Sequence, residues 1–214
     1  MKSPRELAIN LYAGNPWEAF LSNFKFWEEP YEVIDKMVPL NGRITDLGCG
    51  EGLLSNYLAI SSPKRKITGF EIARERLERA KKGIKNTEFI VGDIVKISYP
   101  SSTDTVILFH VLHHLPSKEN QYNVLNKAKK SLKKNGKLII VEVHVKPTLK
   151  YLAAWFADHF LVPWVFEKRF LTRAYFRKEH EWLGLLKNLG FKVKVTEETS
   201  GRPFPNIIFE CTYK

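Results

Sequence analysis

An α/β fold is predicted: a doubly wound, mostly parallel sheet of seven strands with an antiparallel pair at its C-terminal edge. Three observations predict it. Apolar runs of strand length alternate with helical stretches over roughly a hundred residues. A glycine-rich break at 46–52, D-L-G-C-G-E-G, closes the first of these runs and opens a helix. The last two runs, 192–197 and 206–212, alternate apolar and polar residues across a connection of roughly eight residues, as antiparallel neighbours do.

Residues 5–40 read as helical cover, broken by Pro16 and Pro30. Trp17, Phe20, Phe24 and Trp27 recur at helical spacing, and the simplest reading is an apolar stripe packed on the core. A second helix over 31–37 delivers the chain to the first strand. After the glycine break come a helix over 53–60, a strand over 66–70 ending at Glu71, and a charged helix over 74–82. The third strand, 88–91, leads to Gly92-Asp93-Ile94. The fourth, D-T-V-I-L-F at 104–109, has the composition of a buried parallel strand and runs into H-V-L-H-H-L. An amphipathic helix over 122–134 ends at Asn135-Gly136, which predicts a glycine-type cap. The fifth strand is 137–143, and the last core helix is 179–189.

The glycine break carries the first functional signal. Without a Cβ the backbone can turn sharply out of a strand and approach a ligand. The following helix then offers its N–H groups and positive end to it. The dinucleotide pattern G-x-G-x-x-G fails here, because Leu53 and Ser55 stand where its last small residue belongs. What stands instead is D-x-G-x-G-x-G. Glu71 lies where an acid from a Rossmann-like second strand meets ribose hydroxyls, about 20 residues beyond the loop.

Composition sets the frame. The 214 residues, 44% hydrophobic, suit one domain over 1–214 with no repeat, low-complexity tract or linker. A net charge of +11 favours polyanionic partners, an anionic membrane surface or an acidic substrate, and is equally met by solvated helix faces. Two cysteines, Cys49 and Cys211, make neither a disulfide framework nor a zinc site, and no metal is expected. The N-terminus has no signal-peptide core, and no run reaches the ~18–20 apolar residues of a membrane span. A cytoplasmic setting is expected, with peripheral contact at the inner membrane surface left open.

Five signposts stand in order: D-L-G-C-G-E-G (46–52), G-F-E-I (69–72), G-D-I (92–94), F-H-V-L-H-H-L (109–115) and K-N-G-K-L-I-I-V-E (134–142). Together they resemble the class I S-adenosylmethionine-dependent methyltransferases that act on small molecules and lipids. The resemblance covers residues 40–145, then the final helix and strand pair. It implies S-adenosyl-L-methionine as cofactor. Asp46, Gly48, Cys49, Gly50 and Gly52 would hold its methionine end, and Glu71 with Ile72 the ribose side. Asp93 and Ile94 would take the adenine, although an Asp in a turn also has a plain backbone-bonding explanation. Phe109 and His110 would form the edge beside the sulfonium. In this family the N-terminal helices often close over the cofactor, so Tyr12 and Trp17 are candidates to line the pocket.

Methyl transfer from a sulfonium is an in-line displacement, so positioning the nucleophile is the main task. A base is needed only when the acceptor carries a proton. His113 and His114 follow the fourth strand and are the catalytic candidates, with packing and loop capping as the plainer account. Leu112-His113 is similar to the I-L-H of phosphoethanolamine methyltransferases, where the histidine acts in catalysis. Neither N-P-P-Y nor D-P-P-Y follows the strand, and no cysteine lies where a cytosine-C5 enzyme needs one. Both absences count against nucleic acid.

An extra stretch, 146–178, separates the fifth strand from the last core helix. It holds nine aromatic residues in 33 and a net charge of +5. Residues 151–166 read as helical, interrupted by Pro163. Trp155, Trp164, Arg169 and Arg173 are its candidates for holding an apolar, anionic substrate. The same composition fits an interfacial anchor, a dimer interface or an RNA-stacking surface. The expectation is methyl transfer to an apolar, anionic small-molecule or lipid acceptor. The alternatives are an RNA methyltransferase and a non-catalytic cofactor-binding partner subunit. Oligomeric state stays open.

Overall fold

The computed structural model describes residues 2–145, 174–198, 201–202 and 205–213. Three helices come first, α1 (Pro4–Tyr12), α2 (Pro16–Glu28) and α3 (Tyr31–Met37). Then β1 (Gly42–Leu47), α4 (Leu53–Ser61), β2 (Arg65–Glu71), α5 (Arg74–Ala80), β3 (Thr87–Val91) and β4 (Thr103–Phe109) alternate. A 3-10 turn, Leu112–His114, precedes α6 (Lys118–Ser131) and β5 (Leu132–Val143). The last described elements are α7 (Glu179–Asn188), β6 (Lys192–Glu198) and β7 (Asn206–Thr212).

One seven-stranded sheet results, in the order β3-β2-β1-β4-β5-β7-β6. The first five strands pair in parallel, while β7 runs antiparallel to both β5 and β6. Strand order reverses at β1, which lies between β2 and β4. The crevice at the carboxyl ends there is the usual ligand position of an open α/β sheet. Val106, Ile107 and Leu108 of β4 are all fully buried, as a strand covered on both faces requires. Ile107 and Ile139 join Phe26, Ile34 and Leu58 on one side. Val106, Leu108 and Ile140 pack with Leu125, Trp182 and Leu186 on the other.

Arg65, at the start of β2, is completely buried. Its guanidinium meets the Asp35 carboxylate at 2.5 Å and donates to the carbonyls of Asp35, Val38, Pro39 and Leu58. One planar fork thereby ties α3 and α4 to the sheet.

Two expectations change. The sixth helix stops at Ser131, three residues short of the predicted end, and β5 begins at once. Asn135 takes the left-handed φ of 63° inside β5, next to a shift of register against β4. A Cβ on Gly136 would come within 3.1 Å of the Thr103 carbonyl, so this glycine serves strand approach rather than helix capping. The second change concerns α2. Asn15 caps it and Pro16 sets its first turn, but Phe26 is the ring that enters the core. Trp17, Phe20 and Trp27 of the predicted core stripe are 65%, 57% and 49% exposed. They form an outward ladder with Phe24, ring centroids 5.6, 6.4 and 5.5 Å apart in succession.

Candidate active site

Three left-handed glycines shape the loop between β1 and α4, Gly48 (φ 80°), Gly50 (φ 56°) and Gly52 (φ 72°). The Phe70 carbonyl accepts from the N–H groups of both Gly48 and Cys49, pinning the loop to the end of β2. A Cβ at Gly48 would stand 2.4 Å from Val111, and one at Gly52 2.7 Å from Ala80. Tyr12 reaches in from α1: its hydroxyl donates to the Glu51 carbonyl at 2.7 Å and accepts from the Asn56 amide. Tyr12 thus braces the loop. Trp17 lies on the outer face of α2, part of the exposed ladder.

Asp46 ends β1, almost fully buried. The Ser55 hydroxyl donates to its Oδ2 at 2.6 Å, and Oδ1 has no hydrogen-bond partner among the described residues. Burial pushes its pKa up to about 6; the Ser55 bond opposes this and the Glu71 charge adds to it. Glu71 accepts from Gly50 N–H and Ala73 N–H, one on each oxygen, both at 3.0 Å. Each oxygen keeps further acceptor capacity. Ile72 beside it is 66% exposed, an apolar side chain standing open at the strand end. Cys49 is half-buried, its thiol pushed well up by burial, and so is not a nucleophile.

Asp93 and Ile94 sit at the end of β3. Asp93 Oδ1 accepts from Val95 N–H at 2.9 Å and Oδ2 faces Lys96 at 3.6 Å, so the turn-bonding account is realised. Ile94 is buried in the core and is not open at the strand end in the way Ile72 is.

At the ends of β4 and β5 stand two close imidazole–carboxylate pairs, and just past β5 a looser group in which His144 lies 3.6 Å from Glu179 and 3.7 Å from Glu197. His110 has the left-handed φ of 50°, unusual outside glycine and common where structure serves function. Its Nε2 lies 3.2 Å from Glu29 Oε2. Burial raises the Glu29 carboxyl, but His110, Lys25 and Arg202 outweigh it and hold Glu29 low. His113 Nδ1 lies 2.5 Å from Glu142 Oε2, and Glu142 Oε1 accepts from Leu112 N–H at 3.0 Å. His113 is 1% exposed, stacked on Phe176 at 4.8 Å, and its carbonyl accepts from Tyr175 N–H. His114 is exposed with its ring 4.1 Å from that of His113. Phe109 and Tyr31, 5.3 Å apart, wall the same end of the sheet. His110, His113 and Glu142 present ligand atoms within 4.8 Å of one another. His113 and Glu142 are within hydrogen-bond distance of each other.

The structure therefore gathers Asp46, the three glycines, Cys49, Glu71, Ile72, Asp93, Phe109, His110 and His113 along one edge of the sheet. Trp155, Trp164, Arg169 and Arg173, with the helix expected over 151–166, lie outside the described residues. Three participants were missed in the sequence: Ser55, Glu29 and Glu142. Glu142 had a signal, a lone charge inside the apolar run L-I-I-V-E-V. A surface depression of about 410 Å³ lined by Gly42, Arg43, Lys64, Lys66 and Asp104 lies at the opposite, amino end of the strands.

Residues 40–188 match the family model of a methyltransferase domain. The demethylmenaquinone methyltransferase of Thermotoga maritima is 28% identical over 135 residues, covering 62% of this chain and 57% of that protein. Nodulation protein S of Azorhizobium caulinodans is 25% identical over 139 residues, 62% of this chain and 65% of its own. The chain thus spans somewhat over half the length of these curated relatives. Among solved structures, a SAM-dependent methyltransferase from Aquifex aeolicus superposes with a TM-score of 0.66 at 18% identity, covering 100% of both chains. Magnesium protoporphyrin IX methyltransferase from Synechocystis, with bound SAH, gives 0.66 at 21% identity, covering 98% of this chain and 93% of that one. At such identities the structural likeness concerns the fold.

Proposed function

Because the chain belongs to the methyltransferase domain family, we propose that it transfers a methyl group from S-adenosyl-L-methionine to a proton-bearing nucleophile on an apolar acceptor. The observation that carries this reading is the paired arrangement at the strand ends. A cradle fit for the cofactor lies beside two imidazole–carboxylate pairs walled by aromatic rings.

The cradle's features fit the cofactor's parts. A buried carboxylate oxygen without a partner, Asp46 Oδ1, suits the methionine ammonium. Glu71 keeps acceptor capacity for ribose hydroxyls. Ile72, open to solvent, offers apolar cover to a purine ring. Asp93 retains its Oδ2 on the adenine side, only loosely engaged by Lys96. Bound there, S-adenosylmethionine supplies a methyl group on a sulfonium whose leaving group is neutral.

Proton handling falls to the histidines. Held by the Glu29 carboxylate, the His110 imidazole would take up the proton of the acceptor. Glu29 steadies the imidazolium that forms. His113, sealed by Phe176, is held by Glu142 in the same manner and would support the site from beneath. His114 lies beyond it. Phe109, half-buried and backed by the buried Tyr31 ring, would supply apolar surface for the acceptor. The relatives' names range from demethylmenaquinone to magnesium protoporphyrin IX, so the acceptor class rests on this wall of rings.

The test uses methyl-labelled S-adenosylmethionine, the purified protein and an extract of its own cells. Label entering the organic phase supports an apolar acceptor. Label recovered in the aqueous phase, or released from precipitate by nuclease, overturns that class. Cofactor binding with no transfer to any fraction would make the chain a cofactor-binding subunit.

A further inference from the structure

Helix α2 has two aromatic faces, and only one is needed by the core. Phe26 points inward, packing edge-on against Tyr31 and Tyr57 at 5.2 Å. At 3.6 residues per turn, Trp17, Phe20, Phe24 and Trp27 fall within an arc of about 80° on the opposite side. Three of the four are about half exposed or more. Large apolar side chains grouped in this way on a surface mark an interaction site.

We propose that this face of α2 docks the protein on an anionic lipid surface. Three observations choose lipid over a protein partner. Tryptophan stands at both ends of the ladder and phenylalanine between them, and Trp in particular favours the boundary of headgroups and acyl chains. Charge supports the same partner. Lys25 of α2 is engaged by Glu28 at 3.0 Å and by Glu29 at 3.8 Å, and Glu18 is exposed near the start of the helix, so α2 itself adds no positive charge beside the ladder. The attraction to a negative surface comes from the net charge of +11 of the whole chain acting at long range, and the rings supply short-range insertion. The third observation is continuity with the site. The Trp27 carbonyl accepts from Arg202, and two residues later Glu29 meets His110. A membrane held against the ladder would bring lipid close to the mouth where the acceptor enters. The proposal rests on the apolar-acceptor reading only in that last respect.

The experiment is co-sedimentation of the whole chain with vesicles of phosphatidylcholine alone and of phosphatidylcholine with one-third phosphatidylglycerol, at low and high salt, without methyl donor. Binding to the anionic vesicles that weakens with salt is expected. It should fall at least tenfold in a Phe20→Ser/Trp27→Ser variant whose thermal unfolding matches the parent. Phe20→Ser alone replaces the pair if the pair does not fold. No vesicle binding, or binding unchanged by these substitutions, overturns the proposal. So does a dimer in light scattering that the same substitutions dissolve, since the ladder would then be a self-association face. Because no methyl transfer is measured, failure here leaves the enzymatic reading standing, and failure of the labelling test leaves this one.

Discussion

Glu29 and His110 are 81 residues apart in the chain, yet their side chains meet at 3.2 Å. The contact joins the N-terminal helices to the end of β4 and gives a strained histidine a fixed counter-charge. Replacing His110 with Gln is expected to lower methyl transfer about 10²–10⁴-fold, the usual range for a general base. Glu29→Gln should cost less and shift the acid limb of the rate profile to lower pH, because the imidazolium loses its partner. Calorimetry should find cofactor affinity unchanged in both; a parallel loss of affinity would make the pair structural.

His113 and Glu142 answer to a different measurement. Both are buried, so His113→Ala leaves a carboxylate stranded and should cost about 3–5 kcal/mol in denaturant unfolding. Glu142→Gln in the same chain should recover much of the loss. A double-mutant cycle with no coupling would show that the two groups do not depend on each other.

Asp46 predicts a pH dependence with a definite sign. Its pKa of about 6 in the folded chain lies above the ordinary 3.8. The folded state therefore binds the proton more tightly, and stability falls as pH rises between the two values. Above pH 6 the ionised, buried carboxylate costs on the order of 2–3 kcal/mol. Asp46→Asn should stabilise the free protein at neutral pH while weakening cofactor binding. The parent's cofactor affinity should drop as pH falls below 6. Flat affinity across pH 5–8 would remove Asp46 from the cofactor's ammonium.

Gly50→Val tests the loop. A Cβ there meets only the tip of the Arg76 side chain at 3.0 Å, so the fold can adapt. The φ of 56° is hostile to a β-branched residue, however, and the branched side chain would occupy the backbone approach. Cofactor affinity should be lost with a folded protein remaining, measured by calorimetry beside circular dichroism.

Arg65→Met removes the fork that holds α3 and α4. It leaves Asp35 and four carbonyls without their donor, and a loss of about 3–5 kcal/mol is expected. Lysine should rescue only part, since one ammonium does not reproduce the planar set of donors.

The sheet and its edge pair were legible in the sequence because parallel strands buried on both faces leave apolar runs, and the glycine loop has no substitute chemistry. Glu71 was marked by its spacing from the glycine loop, whereas His110 was placed beside the sulfonium by the resemblance alone, with His113 and His114 as the catalytic candidates. What escaped depended on which way a helix faces. The stripe from Trp17 to Trp27 has the periodicity of a core face, but one aromatic at 26 outcompeted four others for the interior. Periodicity reports that a face exists and says nothing of what covers it. Glu29 escaped because its partner lies 81 residues away, and a charged residue before Pro30 looks like any loop. Arg65 escaped because five acceptors lying 7 to 30 residues away in the chain, not an apolar pattern, justify its burial.

In the order β5-β7-β6 a strand later in the chain separates two earlier ones. Until β7 arrives, β6 has no place in the sheet, and β5 presents an unpaired edge of backbone donors and acceptors. Glu142 lies on that edge, opposite Ile207 of β7. The carboxylate that holds His113 thus stands on a strand whose second neighbour is the last strand in the order of the chain. A chain in which β7 has not paired would keep the strands that carry the glycine loop and the Glu29–His110 contact, and would leave Glu142, with His113 on it, at an open edge.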